Sequence, residues 1–129
     1  MSMMRNLVGL WKNREETSEK ERNPALKTRY YKERKDKLID LILDLIPKKL
    51  PRWKVMHTDR ERGEILVEKQ GLLRKSDIVI TVFRINPIRS AIDVMSAKRG
   101  SFGDLGDTYR DILLFFRVLH TAIKPEEKP

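Results

Sequence analysis

Cysteine is absent from the 129-residue sequence, and histidine occurs only twice, at His57 and His120. Without a thiol there is no disulfide, zinc ribbon or cysteine nucleophile. The two histidines stand alone, with no base or ligand partner at a recognisable spacing. Each is expected to be structural, and no metal site, cofactor or catalytic residue is expected. Long apolar runs are also missing, since none approaches the roughly 20 residues that span a bilayer. The short apolar stretch from Leu7 to Trp11 meets charges before any small-residue cleavage site. A cytoplasmic protein without a membrane partner is expected.

What the chain has in quantity is charge. Lys and Arg number 28 against 19 Asp and Glu, a formal net charge of +9 and a pI of about 9.9. The excess lies toward the front: residues 1–35 hold ten basic and five acidic side chains, residues 100–129 four and five. Anionic partners therefore come into view. With 40% hydrophobic residues the chain can still build a core, and its length fits one domain. From Lys12 to Glu21 there is nothing apolar to bury, which reads as a solvated linker or an exposed helix. Residues 1–23 are set apart as an N-terminal segment, and 24–129 are expected to form a single domain.

Periodicity supplies the elements. Leu38, Leu41, Ile42 and Leu45 recur at helical spacing with Ile39, Leu43 and Ile46 widening the stripe, and Pro47 is the expected stop. Trp53, Val55 and His57 alternate with polar neighbours, as do Ile65 and Val67, and the link Thr58 to Gly63 suits a hairpin. Asp77 to Ile85 reads as a central strand, with Ile78, Ile80 and Val82 on one face and Val79, Phe83 and Ile85 on the other. After Asn86-Pro87, Ala91 to Ser96 reads as a fourth strand. A final helix is expected from Asp104 to about Ile123, with Leu105, Tyr109, Ile112, Phe116, Leu119 and Ile123 facing the core. Leu114, Phe115 and Val118 give it a second apolar flank that something must cover. The expected fold is α+β, a four-stranded antiparallel meander with two helices packed on one face.

The segment from Ile92 to Gly106, leading from strand to helix, is the most unusual stretch. Asp93, Val94, Ser96, Arg99, Asp104, Leu105, Gly106, Arg110 and Ile112 match a signature running Asp-Val-x-Ser-x-Ser-Arg-x-Gly-x-x-Asp-Leu-Gly-x-Asn-x-x-Arg-Ile. On these residues the chain, from about Trp53 to Leu119, resembles an uncharacterised bacterial family of unknown function. Ser76-Asp77-Ile78 stands where that family's strand opens. Met95, Lys98, Ser101 and Thr108 depart from the pattern. The resemblance implies a fold and a boundary, and no reaction.

Three functional expectations follow. The first is a non-enzymatic binding or self-association domain, possible as a homodimer or with a protein partner, working through the sheet face opposite the helices or the extra helix flank. The second is nucleic-acid binding through the basic aromatic segment 27–35, above all Lys27, Arg29, Tyr30, Tyr31 and Lys32, where bases would stack on the tyrosines and phosphates meet the cations. The plainer reading has both tyrosines anchoring the start of the first helix. The third is a small-anion or hydrolytic site on Ser96, Lys98, Arg99, Asp104 and Arg110, with Gly100, Gly103 and Gly106 letting backbone amides approach. Its plainer reading is a turn fixed by Asp104 as helix cap.

Overall fold

The computed structural model describes residues 14–16, 28–71, 75–98 and 105–126. Two short strands, β1 (Arg14–Glu16) and β2 (Arg29–Tyr31), precede helix α1 (Lys35–Lys49). Strands β3 (Trp53–Asp59), β4 (Glu64–Gln70), β5 (Lys75–Asn86) and β6 (Arg89–Lys98) follow, then helix α2 (Leu105–Leu119). The sheet is antiparallel throughout, in the order β1-β6-β5-β4-β3, with β2 also paired to β6.

The meander is thus as expected, but the sheet is wider than four strands. β1 and β2 lie along the outer edge of β6, opposite Met95 to Ala97 and Ser90 to Ile92 respectively. Arg14 to Glu16, expected within a solvated linker or exposed helix, are a strand. Three-residue edge strands are held by backbone hydrogen bonds and carry no apolar alternation, so periodicity passes over them.

Both helices pack on one face. Leu38, Ile39, Ile42, Leu45 and Ile46 of α1 and Ile112, Phe115, Phe116 and Leu119 of α2 join Ile65, Val67, Ile78, Ile80, Val82, Ile92 and Val94 of the sheet in one buried cluster. Fully burying each such side chain is worth roughly 1.5–3 kcal/mol. The second flank of α2 is covered by the chain itself: Phe115 is buried and stacks on Trp53 at 6.2 Å, and Leu114 and Val118 pack against the cluster.

Three boundaries differ from expectation for local reasons. Pro47 does not stop α1. It sits in the last turn, where the helix gives up one backbone bond and still closes through the Leu50 amide donating to Ile46 at 2.9 Å. α2 ends at Leu119, because the Thr121 hydroxyl donates to the Val118 carbonyl at 2.7 Å and tighter turns run to Ile123. In β3 a bulge between Val55 and His57 leaves Met56 half-exposed and reverses the alternation. His57 pairs opposite Leu66 and is exposed, on the face away from Trp53 and Val55.

The β3–β4 connection requires its glycine. Gly63 has a φ of 74°, and a Cβ there would lie 2.1 Å from the Val82 carbonyl oxygen, whose own residue donates its amide to the Gly63 carbonyl at 2.7 Å. Among the described residues no helix is long and apolar enough to cross a membrane.

Candidate anion-binding cleft

The β3–β4 turn, the start of α1 and the β5–β6 hairpin meet around a cleft of about 430 Å3. Four cations line it: Arg34, the residue before α1; Lys35, its first residue; Arg60 of the turn; and Arg84 near the end of β5. Ile39 and Pro87 supply apolar wall, and Asp36 is the one lining carboxylate among the described residues.

Each cation is placed by its own local structure. The Asp59 carboxylate accepts the Arg62 amide at 3.1 Å and shapes the turn that presents Arg60. Arg60 Nη2 donates to Asp40 at 2.6 Å on the surface of α1. The Lys35 side chain passes against Gly63, and its Nζ donates to the Glu61 carbonyl at 2.7 Å. Arg34 lies a loose 3.9 Å from Asp36. Arg84 is exposed, with no ion pair and no side-chain hydrogen bond among the described residues. Exposed pairs such as these contribute roughly 0–1 kcal/mol, so little holds the four cations back from a better anion. An anion with several negative oxygens satisfies more than one of them at once.

The basic aromatic segment is arranged quite differently. Tyr31 is fully buried, and its hydroxyl lies 2.8 Å from His120 Nε2. Burial, opposed by Arg29, pushes the Tyr31 phenol well above its ordinary value, and burial followed by Arg29 lowers His120. A protonated phenol therefore faces a neutral imidazole, and the imidazole tautomer sets which of the two donates. The Arg29 guanidinium lies 4.5 Å from the centre of the Phe116 ring. Tyr30 points to the other sheet face, with the Arg89 guanidinium 4.7 Å above its ring, and Arg89 also donates to Glu126 at 2.9 Å. Tyr31 has no face left for a base, which corrects its place in the expected stacking surface. Lys32 is exposed, and Lys27 lies outside the described residues.

The strand-to-helix residues are only partly brought together. Ser96 is buried at the core side of β6, its hydroxyl 3.5 Å from a carboxylate oxygen of Asp111, whose other oxygen takes the Lys69 ammonium. Asp111 is only 2% exposed, so Ser96 serves a buried polar knot between sheet and helix. Arg110, its chain neighbour, is exposed. Lys98 is placed only as the last residue of β6, Gly106 as part of α2, and Arg99, Gly100, Gly103 and Asp104 lie outside the described residues. No group of three or more metal-binding side chains occurs among the described residues.

Arg34 and Lys35 close the basic segment 27–35, but sequence reasoning missed their grouping with Arg60 and Arg84, and Asp111 with Lys69. The cleft left no local signal, because its cations come from three separated segments. Asp111 did leave one: it is a carboxylate one turn before Phe115 on the apolar flank of α2.

No known family model matches the sequence, and no curated protein sequence matches it. Solved structures do. The di-domain ARO/CYC StfQ from the steffimycin biosynthetic pathway superposes with a TM-score of 0.56 at 12% identity, over 75% of this chain and 44% of that one. A START superfamily protein from Mycobacterium smegmatis superposes with a TM-score of 0.50 at 9% identity, over 76% of this chain and 94% of that one. The chain thus spans less than half of the two-domain protein. These likenesses establish a shared helix-grip fold, in which an antiparallel sheet holds a C-terminal helix.

Proposed function

We propose that this chain is a non-enzymatic, cytoplasmic binding domain that takes a small anionic ligand, a phosphate or polycarboxylate, in the cleft between α1 and the β5–β6 hairpin. The observation that carries this reading is the lining itself: four cations around a space of about 430 Å3, with Asp36 the one carboxylate of the lining among the described residues and Asp40 bonded to Arg60 from beside it. In water the attraction of one cation is screened within about 8 Å at physiological salt, and convergent charges on low-dielectric walls raise it. His120 is tied to Tyr31 and His57 lies exposed on the far sheet face, so neither histidine reaches the cleft. Membership of the uncharacterised bacterial family is proposed on the strand-to-helix signature alone.

Calorimetric titration of the purified chain with inorganic pyrophosphate at low salt tests the reading. The expected result is saturable one-to-one binding that weakens about tenfold in Arg84→Ala, the scale of one charge-assisted hydrogen bond. Lys49→Ala, which removes the same charge at the far end of α1, is expected to leave it unchanged. Equal weakening by both variants, or no binding by the parent chain, contradicts the proposal. A single-stranded oligonucleotide that binds the parent and Arg84→Ala equally, while pyrophosphate does not bind, favours nucleic acid instead.

A further inference from the structure

The tip of the β5–β6 hairpin carries two chemistries side by side. β5 is paired to β4 only as far as Thr81, opposite Glu64, with one more bond from the Val82 amide to Gly63. Beyond that point β5 and β6 continue past β4, flanked on the other side by β2 as far as Ser90, and residues 85–89 project as a two-stranded tip with a bulge at Ile85. Ile88 at its apex is 72% exposed, and Phe83 and Ile85, on the sheet face away from the helices, are 44% and 46% exposed. The Asn86 carboxamide accepts the Ile88 amide at 2.9 Å and fixes the turn that presents this side chain outward. On the opposite face of the same strand stands Arg84, beside the cation-lined cleft.

Single exposed apolar residues are ordinary, but Ile85 and Ile88 on a projecting tip, with Phe83 exposed at its base and cations beside it, are not. The charge decides among occupants. A second copy would bring like-charged tips together. A protein partner needs about 800 Å2 of surface per side, and three side chains at the end of one hairpin do not supply it. A lipid surface needs only a shallow apolar wedge flanked by basic groups.

Resting on the reading of the cleft as an anion site, we infer that the hairpin tip docks this protein on an anionic lipid surface, with Ile88, Phe83 and Ile85 entering the interface and Arg84 and Arg34 meeting lipid phosphates. The expectation of no membrane partner rested on the lack of a spanning segment, which governs crossing and has no bearing on surface docking.

Co-sedimentation of the full chain with vesicles tests this. Vesicles of phosphatidylcholine mixed with phosphatidylserine are expected to bind the chain, and phosphatidylcholine alone to bind it far less, with the difference shrinking as salt rises. Ile88→Asp is expected to lose vesicle binding by about tenfold or more while keeping both its thermal midpoint and its pyrophosphate affinity. Absence of binding to mixed vesicles, or unchanged binding by Ile88→Asp, overturns the inference. So does a native mass spectrum in which the parent is a dimer and Ile88→Asp a monomer, which assigns the tip to a second copy. If pyrophosphate binds and mixed vesicles do not, the cleft reading stands and the lipid surface falls. If neither binds, both fall.

Discussion

Two regions of this protein have the same ingredients and opposite fates. Residues 29–31 and the hairpin tip at residues 83–88 each interleave arginine with large apolar or aromatic side chains. In the first, the fold supplies every partner: Tyr31 has His120, Arg29 has Phe116, and Tyr30 has Arg89. In the second, Arg84 has none among the described residues and Ile88 lies mostly in solvent. A basic aromatic run in a sequence is thus no guide to a binding surface until the fold shows which charges are already taken. The register of β2 against β6 makes the difference, since it turns Arg29 and Tyr31 under α2, while β5 carries Arg84 past the end of β4 to the open cleft beside α1.

The comparison breaks most readily at the closed region. Tyr31→Ala is expected to cost about 4 kcal/mol in chemical denaturation, as for other buried aromatics cut to alanine, and a loss below about 1 kcal/mol would mean that the segment is not anchored. Asp111→Ala should follow at roughly 3 kcal/mol. It strands Lys69, and the cost sits at the low end for buried pairs because Lys69 is 24% exposed. A double-mutant cycle with Lys69→Met should recover part of the loss, and a purely additive cycle would remove the pairing.

Acidification sharpens the contrast further. His120 titrates lower in the folded protein than in the unfolded chain, where about 6.5 is expected, so unfolding takes up a proton in the window between the two values. Its contribution to stability is complete above pH 6.5 and is lost as pH falls through the lowered folded value. Thermal melts from pH 8 to 5 should therefore show a decline that His120→Gln flattens, and an identical slope in that variant would contradict the buried neutral imidazole. The smallest effect belongs to the open region. Arg84→Ala and Ile88→Asp are each expected to change unfolding stability by less than about 0.5 kcal/mol, since neither side chain holds the fold together. A larger loss in either would place it among the closed region's anchors.

Much of the scaffold was legible in the residues and much of the site was not. The faces of β5 and β6, with Ile78, Ile80 and Val82 inward and Phe83 and Ile85 outward, follow directly from alternation, and the stripe of α1 from helical spacing. β1 and β2 escaped because short edge strands are specified by backbone pairing. Alternation from Trp53 puts His57 on the core face, and the bulge between Val55 and His57 inverts the later positions of β3. The cleft was invisible for a deeper reason. Arg34, Lys35, Arg60 and Arg84 have no common spacing, and only the contact of three segments brings them together. Strand and helix periods report what is buried, and this site is made of what is left out.

The central claim is that the cations at the open end bind an anion and those at the closed end do not. Titration of the isotope-labelled chain with pyrophosphate, followed by amide chemical shifts, tests it residue by residue. Saturable shifts concentrated at residues 34–36, 60 and 84, with residues 29–31 and 116–120 unmoved, are the expected outcome. Shifts centred on residues 29–31, or small linear shifts spread over every basic surface, would contradict it.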